Sequence, residues 1–258
     1  MPPLSKLLYA LYEDRLLAGL DTSRFPHHVA VILDGHRRYA RSSGLSSYTD
    51  SYRAGMRRFE DFLDWNADLG IPAITGWLLS RENLDRPEEE LEPYFDVLVE
   101  LFGRLPERCR RSDSSLRFIG SLDLLPDRVT EAAKRAEQKA SDGDGGWLTI
   151  ALGYGGRQEI VDAARDLVGS LASEGVPVDE IADRIDADSL ARHMYSAHIP
   201  DPDLLIRTSG ESRLSGFLLW QSAYTEFVFV DVFWPAFRRV DYLRALRSFT
   251  LRDRRFGR

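Results

Sequence analysis

The sequence predicts an α/β fold: a single domain with a central, mostly parallel sheet flanked by helices. After Pro26, apolar runs of strand length alternate with helical patterns, and strands separated by helices of this length form βαβ units. No linker, internal repeat or low-complexity segment divides this region. We therefore interpret residues 25–258 as one domain, preceded by a helical arm over residues 1–24.

Each predicted strand is an apolar run that ends at polar or glycine-containing residues, as expected for strands buried on both faces. The strands cover residues 29–33, 73–79, 115–119, 147–152, 204–207 and 226–230. The helical patterns cover residues 52–69, 88–104, 126–140, 156–173, 178–184, 187–195 and 239–249. In the arm, leucines recur at helical spacing from Leu4 to Leu17. This spacing predicts a helix that docks onto the domain, with weak contact to a membrane surface or to a partner as the alternative.

Composition excludes several classes of protein. The 258 residues carry a net charge of −7, which argues against a general nucleic-acid binder. The single cysteine, Cys109, excludes an internal disulfide and a cysteine-based zinc cluster and suits a reducing compartment. No apolar stretch approaches the roughly 20 residues of a membrane span, and the N-terminus lacks a signal-peptide pattern. We expect a cytoplasmic enzyme.

The residues after the first predicted strand indicate an anion site. Asp34 and Gly35 end the apolar run, and Arg37, Arg38 and Arg41 follow where a helix begins. A helix N-terminus and arginine side chains both bind phosphate oxygens. Because a carboxylate repels phosphate unless a cation lies between them, we interpret the segment as a diphosphate site that uses Mg²⁺. The alternative is an aspartate that caps a helix.

Three further loops follow predicted strands, and ligands bind at the carboxyl ends of strands in open parallel sheets. They cover residues 80–87, 153–157 and 207–215. A turn in the last loop would fold Arg207 and Arg213 onto one anion; the alternative is a surface loop in which Arg213 pairs with Glu211. Asn83 is expected to orient a phosphate oxygen or a reacting C–H, or else to form an Asx turn.

Glu226 is a lone carboxylate at the start of an otherwise apolar strand. An unpaired buried charge is costly, so Glu226 needs a metal or an arginine as its partner. The glycines of residues 153–156 are not accompanied by a Walker lysine, and no Gly-x-Gly-x-x-Gly follows a strand. A nucleotide site is therefore poorly supported.

These motifs, taken in order, resemble the cis-prenyltransferases, also called undecaprenyl diphosphate synthase-like enzymes. The similarity covers about nine-tenths of the chain and is greatest to the short-chain Z-isoprenyl diphosphate synthases of actinobacteria. It is carried by His28–Gly35, Leu79–Asn83, Gly153–Arg157, Pro202–Glu211, Arg213–Glu226, Trp234–Pro235 and Arg255–Gly257.

The resemblance implies that an allylic diphosphate is condensed with isopentenyl diphosphate to give a Z double bond and release diphosphate. It implies Mg²⁺ as the cofactor, with Asp34 and Glu226 as metal-associated carboxylates. Asp34 and Asn83 are the implied catalytic residues, Asn83 through proton removal. The implied substrate-binding residues are Gly35, His36, Arg37, Arg38, Tyr39, Tyr52, Ser80, Arg81, Glu82, Leu84, Arg86, Arg207, Arg213, Leu214 and Ser215.

The resemblance also implies a homodimer, in which Arg255 to Gly257 completes a phosphate site near the interface. An apolar product tunnel is expected behind the diphosphate site. Long-chain members have a small residue at the position of Leu78, so this leucine is expected to shorten the tunnel and stop growth at about C10–C15.

The chain departs from the family pattern at several positions of the head-group site. This chain has His36 where the family usually has Asn, and Tyr39 where it usually has Trp. It has Ser51-Tyr52 where a Gly-His pair is usual, and Arg81 where a small residue is usual. We expect the His36 imidazole to become protonated near neutral pH beside phosphate. The departures leave two alternatives: irregular head-to-middle coupling, as in lavandulyl-type synthases, or a non-catalytic partner subunit. Retention of Asp34 and Asn83 disfavours the subunit.

Overall fold

The computed structural model describes residues 3–140 and 143–252 and confirms the predicted α/β fold. Six parallel strands form one sheet in the order β3-β4-β2-β1-β5-β6. Their bounds are β1 His28–Ile32, β2 Ala73–Trp77, β3 Ser114–Ile119, β4 Gly146–Ala151, β5 Leu204–Arg207 and β6 Glu226–Phe229. Every predicted strand is present, and β1 lies at the centre between β2 and β5.

Helices cover both faces of the sheet. Their bounds are α1 Pro3–Ala18, α2 His36–Ser42, α3 Tyr48–Asp68, α4 Glu88–Arg111, α5 Asp127–Ala140, α6 Gly156–Ser173, α7 Val178–Ile181, α8 Ala187–Arg192 and α9 Arg239–Thr250. None of the helices in these described ranges is long and apolar enough to cross a membrane.

Side chains alternate between the two faces of a strand, and β1 therefore contributes to two cores. Val29 and Val31 belong to the larger core, which α3 and α4 fill with residues such as Phe59 and Leu98. Ala30 and Ile32 face the smaller core on the other side of the sheet. The larger core lies beneath the carboxyl edge where the predicted phosphate loops meet.

The arm docks onto the domain, as the leucine spacing predicts. Helix α1 packs against α9. The guanidinium of Arg238 donates to the Tyr9 hydroxyl over 2.8 Å, and Leu16 and Leu20 are buried.

Element ends differ from the sequence prediction where local hydrogen bonds decide them. Helix α3 begins at Tyr48 because the Ser47 hydroxyl accepts from the Thr49 amide over 3.1 Å and caps the first turn. Strand β2 ends at Trp77, two residues early, since the amides of Leu78 and Leu79 both donate to the Ala151 carbonyl. Arg255 to Gly257 lie outside the described residues.

Candidate active site

A cleft of about 420 Å³ opens at the carboxyl edge of the sheet. It lies where the ends of β1, β2 and β5 meet the first two turns of α2, α3 and α4. Twelve predicted site residues line it: Asp34, Gly35, His36, Arg37, Arg38, Tyr52, Leu78, Ser80, Asn83, Arg86, Arg207 and Ser215. The structure therefore brings the ends of three separate strands into one site.

Gly35 makes the turn from β1 into α2. Its φ of +110° suits glycine alone, and a Cβ there would lie 2.8 Å from the Phe233 ring. The backbone around Asp34 is fixed by Thr208, whose hydroxyl donates to the Asp34 carbonyl over 2.8 Å. The Trp234 amide donates to the same carbonyl over 3.0 Å. These contacts hold the Asp34 carboxylate at the mouth of the cleft.

Arg207, the last residue of β5, connects two parts of the site. Its guanidinium donates to the Asp34 carboxylate and to the Ser215 hydroxyl, each over 2.8 Å. Only 5% of its side chain is exposed, so this charge is buried and depends on those partners. Arg38 donates to the other Asp34 oxygen over 3.3 Å.

Asp34 stays ionised in this setting. Burial by itself raises the pKa of the carboxyl, but the hydrogen bond and charge of Arg207 and the charge of Arg38 outweigh it, so the pKa lies below its ordinary value of 3.8. Asp34 is thus a fixed negative charge among arginines.

The loop after β5 does not fold both of its arginines onto one point. The side chain of Arg213 is 62% exposed and pairs with Glu211, and it does not line the cleft. This is the surface pairing that the sequence left open as the alternative. The loop also holds Ser209, Ser215 and Leu218 at positive φ, which costs energy for residues other than glycine and is common where a site is preformed.

A hydrogen-bonded chain connects the end of β2 to α3 and α4. The Asn83 side-chain oxygen accepts from Arg86 over 2.8 Å. Arg86 in turn donates to Glu90 over 3.1 Å, and the same carboxylate oxygen accepts from the Tyr52 hydroxyl over 2.8 Å. Asn83 also lies in a 3₁₀ turn, and its backbone amide donates to the Ser80 hydroxyl. The position of the Asn83 amide is therefore set by Arg86 and, through it, by Glu90.

Burial of the His36 side chain opposes its expected protonation near neutral pH. The imidazole fills the space above Gly55, where a Cβ would come within 1.9 Å of its Cε1. Burial lowers its pKa to about 4, although a hydrogen-bond contact with the Ser51 carbonyl opposes the shift. His36 is therefore a neutral packing group between α2 and α3.

Several predicted residues lie outside the main cleft. Arg81 donates to the Ser121 hydroxyl over 3.1 Å and, with Glu82, lines a neighbouring cavity of about 450 Å³ that shares Ser215 with the cleft. Leu84 packs on the larger core and Leu214 on the smaller one. Tyr39 is half-buried on α2 and does not line the cleft.

Glu226 is not brought to Asp34 within one chain. It is the first residue of β6 and stands opposite Leu204, the first residue of β5. It therefore lies at the amino edge of the sheet, whereas Asp34 lies at the carboxyl edge. Its carboxylate pairs with Arg252, so an arginine is its partner, one of the two that the sequence allowed.

Sequence reasoning missed Tyr94, which lines the cleft, and Glu90, which holds Arg86, besides the apolar lining residues Ile32, Leu33 and Trp77. Helical spacing was the available signal, because residues three or four apart share a helix face. Glu90 and Tyr94 lie four positions apart within the predicted helix 88–104.

The residues present fit a magnesium ion that is held mainly by substrate. In the described residues no group of three His, Cys, Asp or Glu side chains forms a metal cage. Asp34 supplies one half-buried carboxylate at the mouth of the cleft. Mg²⁺ in phosphate-transferring sites is bound by one or two carboxylates together with water and phosphate oxygens, so a single aspartate is compatible with that mode.

The cleft is cationic and polar at its mouth and apolar within. Among the described residues that line it, five arginines (Arg37, Arg38, Arg41, Arg86 and Arg207) face one carboxylate, although the whole chain has a net charge of −7. Leu33 and Leu78 line the part that joins the larger core. Such a site suits an amphiphile with a multiply charged anionic head and a hydrocarbon tail.

The fold and site thus define an enzyme class that acts on such amphiphiles, and comparison with known proteins gives the family. The chain belongs to the undecaprenyl diphosphate synthase family, whose model, described as "Putative undecaprenyl diphosphate synthase", matches residues 32–257. The resemblance stated from the motifs is therefore confirmed.

Two relatives and one solved structure illustrate the range of the family. The chain is 51% identical over 250 residues to a (2Z,6E)-farnesyl diphosphate synthase from Thermobifida fusca, covering 97% of each chain. It is 46% identical over 255 residues to a tritrans,polycis-undecaprenyl-diphosphate synthase (geranylgeranyl-diphosphate specific) from Methanopyrus kandleri, covering 98% of this chain and 92% of that one. The structure of lavandulyl diphosphate synthase from Lavandula x intermedia, in complex with dimethylallyl diphosphate, has a TM-score of 0.85 and 32% identity, covering 92% of this chain and 100% of that one.

Proposed function

We propose that this protein is a short-chain cis-prenyl diphosphate synthase, which condenses an allylic diphosphate with isopentenyl diphosphate and releases diphosphate. The observation that carries the proposal is the cleft itself, which is lined by five arginines and one aspartate and also by Leu33 and Leu78 of the larger apolar core. The relative from Thermobifida fusca, by its name a (2Z,6E)-farnesyl diphosphate synthase, supports the same activity.

The arginines are proposed to bind the two diphosphate groups and to stabilise the charge that develops on the leaving one. The side of the cleft proposed for the primer head group is lined from α2 and from the turn before α4, by Arg37, Arg38, Arg41 and Arg86. Arg207 faces the cleft from β5, on the side of isopentenyl diphosphate. Mg²⁺, held by Asp34 and phosphate oxygens, would neutralise diphosphate charge and so ease its departure.

Asn83 is proposed to orient isopentenyl diphosphate where a proton is lost, by donating a hydrogen bond from its amide NH₂ group. Its side-chain oxygen is occupied by Arg86, so the amide NH₂ group is the end that can reach substrate. Ser80 and Ser215 also line the cleft. Water is kept from the reacting carbon by the apolar lining around Leu33 and Leu78.

The length of the product is proposed to be about C10–C15, because Leu78 narrows the apolar part of the cleft. Overall identity does not decide the length: relatives at 51% and 46% identity carry names for a farnesyl and an undecaprenyl product. Leu78→Ala is therefore expected to lengthen the product, whereas synthesis of chains of about C50 by the unaltered enzyme would contradict the short-chain assignment.

A homodimer is proposed on the evidence of the sheet edge. Strand β6 has no neighbour on its outer side in the described sheet, and Phe227 and Phe229 stack there in partly exposed positions. A second chain at this edge would cover them. Because Glu226 lies at the opposite edge of the sheet from Asp34, a role for it in the metal site would require that second chain. A cytoplasmic location remains proposed from the cysteine content.

Head-to-middle coupling of two allylic diphosphates is the second candidate, and the likeness to the lavandulyl diphosphate synthase structure favours it. Parallel incubations with Mg²⁺ separate the two. Labelled isopentenyl diphosphate is supplied with dimethylallyl, geranyl or farnesyl diphosphate, and dimethylallyl diphosphate is also supplied alone. The dephosphorylated products are identified by mass and by double-bond geometry. Z products that contain the label support the proposal; a branched product from dimethylallyl diphosphate alone would replace it. A purified protein with no turnover would favour a partner subunit.

A further inference from the structure

The apolar part of the cleft is closed by two tyrosines from different helices. Tyr52 comes from α3 and Tyr94 from α4, and their ring centroids lie 4.6 Å apart with the planes inclined at 57°. Both side chains are buried and both line the cleft with Leu78. Together the three side chains form a wall between the cleft and the core that α3 and α4 enclose.

The space behind this wall is apolar and filled. One and two turns after Tyr94, α4 carries Leu98 and Leu101, and α3 carries Phe59 two turns after Tyr52; all three are completely buried and none lines the cleft. Farther along the same two helices, at the amino edge of the sheet, Leu63 and Cys109 line a separate cavity of about 90 Å³. The region between α3 and α4 thus stays apolar from the cleft toward the amino edge of the sheet, but side chains fill most of it.

The two tyrosines differ in what their hydroxyls hold. Tyr52 donates to Glu90, which belongs to the hydrogen-bonded chain that ends at Asn83. Tyr94 donates to the carbonyl of Leu78 and so fixes its ring against the end of β2. Tyr94 therefore contributes bulk to the wall without belonging to the network around the head group.

We propose that Tyr94 is a specificity-determining residue that sets the length of the product by blocking the far end of the growing prenyl chain. The inference rests on the proposed function. It goes beyond the role expected for Leu78, because it assigns the stop to a helix α4 ring whose removal opens the cleft toward Leu98. Interiors are close-packed, so a chain can advance past this point only if a side chain is removed.

The test compares Tyr94→Ala with Tyr94→Phe, which keeps the ring and removes the hydrogen bond. The products from labelled isopentenyl diphosphate are measured by chain length. Tyr94→Ala is expected to add about one or two isoprene units, since the deleted ring leaves a cavity that apolar groups can enter. Tyr94→Phe is expected to keep the wild-type length. Leu98→Ala alone should leave the length unchanged, and combined with Tyr94→Ala it should add further units.

A second readout does not depend on elongation. The Tyr94→Ala enzyme should bind farnesyl diphosphate more tightly than the wild type does, and Tyr94→Phe should not. Melting temperatures identify variants that do not fold. If Tyr94→Ala does not fold, Tyr94→Leu, which keeps an apolar helix-forming side chain, takes its place, and its product length is measured in the same way.

A folded, active Tyr94→Ala or Tyr94→Leu enzyme with wild-type product length would overturn the inference and leave the proposed function standing. A Tyr94→Phe enzyme with lengthened products would overturn it as well, because the hydrogen bond rather than the ring would then set the stop. A wild-type enzyme that incorporates no isopentenyl diphosphate with any primer would overturn the proposed function, and the inference with it.

Discussion

Arg207 and Arg213 are expected to respond very differently to the same substitution, methionine, which keeps a long unbranched side chain. Arg207 is buried and pairs with Asp34. Breaking a buried pair costs about 3–5 kcal/mol, but Asp34 is 29% exposed, and solvent screening reduces the cost to about 2–3 kcal/mol. Arg213 has an exposed pair with Glu211, whose loss costs about 0–1 kcal/mol.

For a domain of this size those costs correspond to a fall in Tm of roughly 4–12 °C for Arg207→Met and roughly 0–4 °C for Arg213→Met. Thermal unfolding measures the stability, and steady-state kinetics measure KM for isopentenyl diphosphate. Arg213→Met should raise that KM at nearly unchanged stability, if the exposed guanidinium turns from Glu211 to substrate. Equal losses of Tm in the two variants would contradict the reasoning that the buried Arg207 stabilises the fold more than the exposed Arg213 does.

Three further predictions concern charge. Asp34→Asn should lower turnover by roughly two to three orders of magnitude, and an enzyme that keeps a tenth of the wild-type rate in kinetic assays would contradict this. His36→Asn should leave the pH–rate profile between about pH 6 and 8 unchanged, since a pKa of about 4 keeps the imidazole neutral there; a shifted profile would show that it titrates. Burial also lowers the pKa of His28 from 6.5 to about 4. As the pH falls from 6.5 to 4, the unfolded chain binds a proton at His28 that the folded chain does not, so the free energy of unfolding should fall by about 3 kcal/mol. Urea titrations should show a smaller fall for His28→Gln.

The sequence was sufficient for the sheet and for the edge at which the site lies. Apolar runs such as 29–33 leave few alternatives to a buried strand, and parallel strands separated by helices place their carboxyl ends together. Asp34, Asn83 and Arg207 follow or end such strands and meet in the cleft for that reason. The same rule argued against Glu226 as a neighbour of Asp34, since a residue that begins a parallel strand lies at the opposite edge.

Side-chain direction and helix pairing could not be read in this way. The sequence left Arg213 a choice of partner, and its pairing with Glu211 depends on the conformation of one loop, which residue types do not specify. The burial of His36 depends on Gly55, nineteen positions away on another helix. Tyr94 faces the cleft only because α3 and α4 pack side by side, a contact between distant segments that periodicity within one helix does not determine.

One helix connects the two ends of the site. Arg86 lies two residues before α4, Glu90 lies in its first turn and Tyr94 in its second. Glu90 and Tyr94 are four positions apart and therefore share one face of the helix. Arg86 and Glu90 hold Asn83 and Tyr52, whereas Tyr94 closes the apolar part of the cleft. A displacement of the start of α4 would therefore change the head-group geometry and the position of the proposed stop at once. A change confined to the Tyr94 ring alters only the point at which chain growth stops. We therefore expect substitutions at Tyr94 to change product length without changing head-group binding. Substitutions at Tyr52 are expected to change both.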